Sequence, residues 1–120
     1  VQGLVGLCAD LGGRYLVHGS PGQRRLTPGQ EAEERDRAAE LFHRAAEAAE
    51  RAGVVYCLEP LAPAETAYLT SVAETVEVVR AINHPSLRAM IDCSAAGQAE
   101  AESVPDLVRR WLPTGLIGHI

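Results

Sequence analysis

The chain has 120 residues, 47% of them hydrophobic, and a formal net charge of −5. This length gives room for one globular domain, the negative charge would repel nucleic acid, and no apolar run approaches the roughly 20 residues that cross a bilayer. All 11 basic residues are arginine, so within these residues a Schiff-base lysine and the lysine of a phosphate-binding loop are both excluded.

The three cysteines, Cys8, Cys57 and Cys93, are an odd number without the spacing of a metal finger. They favour reduced thiols in a cytoplasmic protein over a disulfide framework. The N-terminus also lacks a charged region followed by an apolar stretch and a cleavage site. Because the chain opens at Val1 rather than at a methionine, we expect residues 1–120 to be a single partial domain of a longer protein.

Helix and strand patterns alternate along the first part of the chain. Residues 1–11 have leucines at helical spacing and are followed by two glycines, which is typical of a helix end. Residues 14–19 predict a short strand that presents His18 near its end. Thr27 is predicted as the N-cap of a helix that runs to about Ala52.

The central segment has the strongest strand pattern. Residues 54–58 form an unbroken apolar run, and Glu59 and Pro60 follow it. Because proline cannot extend a strand ladder, this run predicts a buried parallel strand with a carboxylate at its exit. A carboxylate that leaves an apolar run loses hydration unless a cation or a polar ligand meets it. Glu59 is therefore a candidate metal ligand.

The next segment repeats the pattern of helix and strand. Ser71 and Glu74 form a capping box that predicts a helix, and the helix is expected to stop at Asn83. Residues 87–91 predict a third strand. Asp92 lies at the end of that strand, in the position that Glu59 has after the second.

The last predicted elements are a helix from about residue 103 to 112 and a fourth strand over residues 116–120. Strands that alternate with helices predict an α/β fold with a parallel sheet. In such sheets the carboxyl ends of the strands meet at one edge, where binding sites form. We therefore expect one site built from four strand ends: His18, Glu59, Asp92 and His119.

The main hypothesis is that Glu59 and Asp92 bind one metal ion. On successive parallel strands the two carboxylates would lie close together, and like charges cost energy unless a cation lies between them. Carboxylate and imidazole ligands suit Mg²⁺, Mn²⁺, Co²⁺ or Zn²⁺, and ligand type alone does not choose among them. The alternative is structural: Asp92 would cap the next turn and Glu59 would pair with an arginine.

His18 and Arg24 are candidate ligand contacts. His18 could be a metal ligand, an acid or base, or a hydrogen-bond donor to substrate, and the alternative is a structural histidine with satisfied hydrogen bonds. Arg24, in the loop after His18, could grip a carboxylate or phosphate through its planar guanidinium. The alternative is an ordinary loop charge.

Three segments carry a resemblance to a known family: HGSPGQRR (residues 18–25), CLEPL (residues 57–61) and MIDCSAAG (residues 90–97). In order and spacing they resemble the sugar phosphate isomerase/epimerase family, the xylose-isomerase-like TIM barrels that include ketose 3-epimerases and hydroxypyruvate isomerases. The resemblance implies a (β/α)₈ barrel, of which residues 1–120 would span about strands four to seven.

The resemblance also implies one divalent ion held by Glu, Asp, His and Glu from four strand ends. Glu59 and Asp92 match the first two ligands. His119 matches the first histidine of a His-x-His pair rather than the ligand itself, and we assign it to substrate binding together with His18 and Arg24. The remaining ligands would lie beyond Ile120.

The implied function is isomerisation or epimerisation of a small sugar or sugar phosphate, in which a proton moves next to a ketose carbonyl. The metal would act as a Lewis acid on that carbonyl, and Glu59 would be both ligand and base.

Other functions stay open. Many family members have a histidine three residues after the aspartate, and here that residue is Ala95. This difference weakens the apurinic-endonuclease branch and leaves room for another metal-dependent lyase or hydrolase of the barrel class. The chain could instead be a non-catalytic α/β module that binds a small ligand or a partner. Its open edge strands would favour homo-oligomers.

Overall fold

The computed structural model describes residues 2–120, which form five α-helices and four β-strands. Val1, the first residue of the predicted N-terminal helix, lies outside the described residues. Short 3₁₀ turns follow β1 and α5. The elements in chain order are α1 (Gln2–Asp10), β1 (Tyr15–His18), α2 (Glu31–Ala52), β2 (Val55–Leu58), α3 (Val72–Ile82), β3 (Leu87–Met90), α4 (Cys93–Ala99), α5 (Val104–Trp111) and β4 (Ile117–His119).

The four strands form one sheet in the order β1-β2-β3-β4, and every neighbouring pair is parallel. The predicted parallel α/β sheet is therefore confirmed. In the register between β1 and β2, Tyr15 pairs with Val55 and His18 pairs with Leu58. Within residues 2–120, β1 and β4 are the open edges of the sheet.

The two faces of the sheet have different surroundings because side chains alternate along each strand. Tyr56 and Leu58 of β2 point to the helices and join the main apolar core with Phe42 of α2. The intervening Cys57 and, on β3, Met90 are also buried but lie outside that core. They mark the opposite face, which in a closed barrel is the interior.

The start of α2 differs from its prediction. The helix begins at Glu31 with Gln30 as its N-cap, so the prediction of Thr27 as N-cap is wrong. Gly29 has a φ of +85°, a left-handed conformation that separates Thr27 from the helix. Thr27 instead donates from its backbone and its hydroxyl to the carboxylate of Glu34, at 2.6 and 2.8 Å.

The capping signals of α3 are confirmed. The Ser71 hydroxyl accepts a hydrogen bond from the Glu74 backbone at 3.1 Å, and Asn83 ends the helix with a φ of +53°. The short helix α4, which begins immediately after Asp92, was not predicted from the sequence.

Part of the surface near α1 is apolar and open to solvent. Leu4, Leu7 and Leu11 are 59%, 53% and 79% exposed, and Tyr15 and Val17 on the edge strand β1 are also exposed. None of the helices in residues 2–120 is long and apolar enough to cross a membrane.

Candidate functional site

Glu59 and Asp92 follow the two central strands of the sheet. Glu59 comes directly after β2, and Asp92 comes two residues after the end of β3. By strand alternation Glu59 lies on the same face as Cys57, and Asp92 lies on the same face as Met90, away from the helical core. The structure therefore brings both predicted residues to one end and one face of the sheet.

The backbone of Glu59 is held from two sides. Its N–H donates to the carbonyl of His18 at 3.1 Å, which extends the pairing of β1 and β2 by one residue. The guanidinium of Arg24 donates through one nitrogen to the carbonyl of Glu59 and through the other to the carbonyl of His18, both at 2.5 Å. Arg24 thus joins the ends of the two strands.

Arg24 is buried, with only 3% of its surface exposed. Its remaining side-chain nitrogen, Nε, is buried without a hydrogen-bond partner in residues 2–120. Burial lowers the pKa of the guanidinium, and the negative charge of Glu59 opposes that shift. The alternative of an ordinary solvated loop charge is therefore wrong, while the assignment of Arg24 to substrate binding stays a prediction.

The carboxyl groups of Glu59 and Asp92 are close enough for the charge of Asp92 to act on Glu59. Burial raises the pKa of the Glu59 carboxyl, the negative charge of Asp92 raises it further, and the positive charge of Arg24 opposes the shift. Desolvation of Glu59 and the neighbouring negative charge both disfavour an isolated carboxylate there, so both favour binding of a cation or a proton.

The side chain of Glu59 lies across Gly19, the residue that follows β1. A methyl group built on Gly19 would lie 1.7 Å from Oε2 and 2.8 Å from Cδ of Glu59. The glycine therefore provides the space in which the carboxylate sits.

Asp92 has a structural role as well as its place beside Glu59. Its Oδ1 accepts a hydrogen bond from the Ala95 backbone at 2.8 Å and so caps α4. The structural alternative is thus correct in part, because Asp92 does cap the next turn. Glu59 pairs with Arg24 through its backbone carbonyl, however, and the carboxylate is left to face Asp92.

His18 lies on the other face of the sheet. Its Nδ1 is 2.7 Å from the hydroxyl of Tyr56, its Nε2 is 3.2 Å from Oε1 of Gln23, and its ring packs edge-on against Phe42. Burial lowers the pKa of His18, and the nearby charge of Arg24 lowers it further. The imidazole therefore belongs to a hydrogen-bonded group between β1 and the helices, and its contact with substrate stays a prediction.

His119, at the end of β4, is exposed, and its ring lies edge-on to Tyr15 with 5.9 Å between the ring centres. Its assignment to substrate binding also stays a prediction. The four predicted strand-end residues thus reach one edge of the sheet, and among them the charge of Asp92 acts on the carboxyl group of Glu59.

Two side chains of the chain are candidate ligands for a metal ion. Within residues 2–120, no group of three or more His, Cys, Asp or Glu side chains could hold one. Glu59 and Asp92 nevertheless fit a divalent cation, because they are paired oxygen donors whose mutual repulsion a positive ion would relieve.

Three structural roles around the site were not predicted from the sequence, and one of them belongs to Arg24, which was predicted only as a ligand contact. Gly19 makes room for Glu59, Arg24 holds the strand ends by their carbonyls, and Tyr56 engages His18. Gly19 could have been found by pairing the residue after the first strand with the residue after the second. The roles of Arg24 and Tyr56 depend on which residues of neighbouring strands lie side by side, and predicting them requires the strand register.

The sequence matches the family described as "Xylose isomerase-like TIM barrel" over residues 1–120. No match was found among curated proteins. The family match confirms the resemblance that the strand-end segments predicted.

Two solved structures share the fold. One is a D-psicose 3-epimerase in the presence of D-fructose, with a TM-score of 0.79 and 23% identity. The other is the D-psicose 3-epimerase with D-tagatose from Clostridium cellulolyticum H10, with a TM-score of 0.76 and 20% identity. Each alignment covers 98% of this chain and 41% of the other, so the chain corresponds to less than half of either epimerase.

Proposed function

The chain belongs to the xylose isomerase-like TIM barrel family, and on that premise we propose that it forms part of a metal-dependent sugar isomerase or epimerase. The reaction is the movement of a proton at a carbon next to a ketose carbonyl. The substrate is a small sugar or sugar phosphate, and Glu59 and Asp92 are the residues of this chain that act at the reacting centre.

The observation that carries the proposal is the pair of carboxyl groups at the ends of β2 and β3. They lie on one face of the sheet, away from the helical core, and burial together with the charge of Asp92 raises the pKa of Glu59. Perturbed carboxyl pairs at strand ends are typical of sites that bind a cation or transfer a proton.

Glu59 and Asp92 would hold the metal ion, with its other ligands coming from outside these residues or from water. Carboxylate ligands are compatible with Mg²⁺, Mn²⁺, Co²⁺ or Zn²⁺. When bound, such an ion acts as a Lewis acid that polarises the sugar carbonyl.

Glu59 would move the proton. Its carboxylate is a basic group at the end of β2, and a carboxylate in that position can take a proton from a bound sugar and return it. Its backbone is fixed by Arg24 and by the carbonyl of His18, so the side chain starts from a defined position. Asp92 is fixed by its hydrogen bond to Ala95.

The proposal for substrate rests on the family and on the two similar structures. Those epimerase structures are with D-fructose and D-tagatose, both ketoses, and these are the first candidates to test. On this chain, His119 is the exposed imidazole at the same edge of the sheet and is proposed as a substrate contact. His18 and Arg24 would contribute from their buried positions only if a ligand displaced their present partners.

The open edges of the sheet support a further part of the proposal, that residues 1–120 are one part of a barrel domain. The exposed leucines of α1 and the exposed Tyr15 and Val17 of β1 would then be covered by further strands and helices. Homo-oligomerisation stays a prediction.

The experiment is replacement of Glu59 by glutamine in the complete protein. Glutamine keeps the size of the side chain and removes its basic charge. We expect the exchange of substrate hydrogen with deuterated solvent, followed by NMR with D-fructose and D-tagatose, to fall about 100- to 10,000-fold. Glu31→Gln, at the exposed start of α2, is the matched control. Near-normal exchange in Glu59→Gln would reject the role of Glu59.

A further inference from the structure

We propose that Gly19 is a positioning residue for Glu59: the absence of a side chain at residue 19 lets the carboxylate take the orientation in which it faces Asp92. The proposal rests on the proposed function, in which Glu59 is a metal ligand and base. It adds a residue that has no functional group of its own and that acts only through the placement of another.

The strand register places the two residues side by side. His18 pairs with Leu58, so Gly19 and Glu59 are the next residues along two parallel strands and lie on the same face. The hydrogen bond from the Glu59 backbone to the His18 carbonyl extends this register beyond the strands.

The side chain of Glu59 occupies the volume that a side chain at residue 19 would need. A Cβ on Gly19 would lie 1.7 Å from Oε2, 2.8 Å from Cδ and 3.4 Å from Cβ of Glu59. The first two distances are too short for any non-bonded contact, so the carboxylate must move if residue 19 carries a methyl group.

The backbone of Glu59 cannot easily move with its side chain. Arg24 binds the Glu59 carbonyl, and the Glu59 N–H is bound to His18. The displacement therefore falls on the side-chain torsions of Glu59, which turn the carboxylate away from its place beside Asp92.

The fold itself should tolerate alanine at residue 19. Gly19 is not among the glycines with a positive φ, so its backbone conformation is open to other residues. The atoms that a methyl group would meet belong to a flexible side chain rather than to the backbone. The expected cost is therefore a misplaced carboxylate, with the fold preserved.

Gly22 provides a matched control in the same loop. It also lacks a positive φ, and a Cβ built on it meets no atom within 4 Å. Gly19→Ala and Gly22→Ala make the same chemical change three residues apart, and only the first should reach Glu59.

The experiment measures Mn²⁺ binding to the complete protein, by the electron paramagnetic resonance signal of free Mn²⁺, with thermal unfolding followed in parallel. We expect Gly19→Ala to weaken Mn²⁺ binding about 10- to 100-fold, as is typical for residues that orient metal ligands. Gly22→Ala should bind as the wild type does, and both variants should unfold near the wild-type temperature. Glu59→Gln is measured beside them.

The outcomes separate this inference from the proposed function. If Glu59→Gln weakens Mn²⁺ binding and Gly19→Ala does not, Gly19 has no positioning role and the ligand assignment stands. If Glu59→Gln binds Mn²⁺ normally, Glu59 is not a metal ligand. The positioning role of Gly19 is then rejected as well, because it acts through that ligand.

A double variant covers the case in which Gly19→Ala also changes the fold. If alanine acts only through the Glu59 carboxylate, adding Gly19→Ala to Glu59→Gln should cause almost no further loss of Mn²⁺ affinity. A further tenfold loss in the double variant would show that the substitution acts by another route and would overturn the proposal.

Discussion

The ends of the central strands and the ends of the edge strands differ in how firmly their side chains are placed. β2 and β3 have a neighbouring strand on both sides, and their last residues, Leu58 and Met90, are buried. β1 and β4 have one neighbour each within residues 2–120, and they carry His18, which is half-buried, and His119, which is exposed. All four strands are parallel, yet the two carboxyl groups that influence each other follow the central pair.

The difference shows that position along a strand is not sufficient to define a site. A parallel sheet brings all carboxyl ends to one edge, but the alternation of side chains decides which face each one occupies. Glu59 faces away from the helices, whereas His18 packs beside Tyr56 and Phe42 on the helical side. The four strand ends therefore share one edge of the sheet without all sharing one face.

Of the further substitutions that compare central and edge strands, Asp92→Asn should have the largest effect. Asparagine is as good an N-cap as aspartate, so the hydrogen bond from Ala95 and the start of α4 should be kept. The charge beside Glu59 is lost, and we expect Mn²⁺ affinity in the complete protein to fall at least about 100-fold, beyond the usual effect of an outer residue. Isothermal titration calorimetry measures the change.

The control for Asp92→Asn is Asp36→Asn on the exposed surface of α2, which should bind Mn²⁺ normally. If Asp92→Asn binds Mn²⁺ as tightly as this control, Asp92 is not a metal ligand, and the ends of the central strands do not form a metal site.

A second substitution tests how the strand ends are held. Arg24→Met keeps much of the side-chain volume but leaves the carbonyls of His18 and Glu59 without their donor. Unsatisfied buried acceptors are costly, so we expect the free energy of unfolding to fall by about 2–4 kcal/mol in urea denaturation. The neighbouring, exposed Arg25→Met should change it by less than about 0.5 kcal/mol. Equal stability of the two variants would mean that Arg24 does not join the strands.

The smallest expected effect comes from the helical side of β1. Tyr56→Phe removes the hydroxyl that lies 2.7 Å from Nδ1 of His18. The loss of one hydrogen bond should lower the free energy of unfolding by about 0.5–1.5 kcal/mol. Because this pair lies on the face opposite Glu59, kcat with a ketose substrate should stay within about threefold of the wild type, a change worth less than 1 kcal/mol. A large fall in kcat would show that the pair formed by Tyr56 and His18 of the edge strand β1 contributes to the reaction.

Much of the fold follows from local patterns in the sequence. The apolar run before Glu59 predicted β2, and the capping box of Ser71 and Glu74 predicted the start of α3. Both predictions are correct because each pattern involves only residues that are close together in sequence. The helix after Asp92 was missed because it is only seven residues long and contains Gly97, so it has too few turns to show an apolar stripe. The start of α2 was misplaced because the φ of Gly29 cannot be read from its identity.

The site was predictable only where it depends on strand ends. Glu59 and Asp92 could be proposed because each directly follows an apolar run. The burial of Arg24 could not, because arginine is rarely buried and its partners are backbone carbonyls, which carry no sequence signal. The face that His18 occupies follows from its pairing with Leu58, and this register is a property of the folded sheet.

The central claim is that Glu59 and Asp92 share one divalent cation, and anomalous X-ray diffraction from crystals of the complete protein grown with Mn²⁺ tests it most directly. We expect a single strong anomalous peak within about 2.0–2.6 Å of a carboxylate oxygen of each residue, the range for carboxylate contacts to divalent ions. A peak bound elsewhere, or carboxylates that face each other in Mn²⁺-soaked crystals with no peak between them, would contradict it.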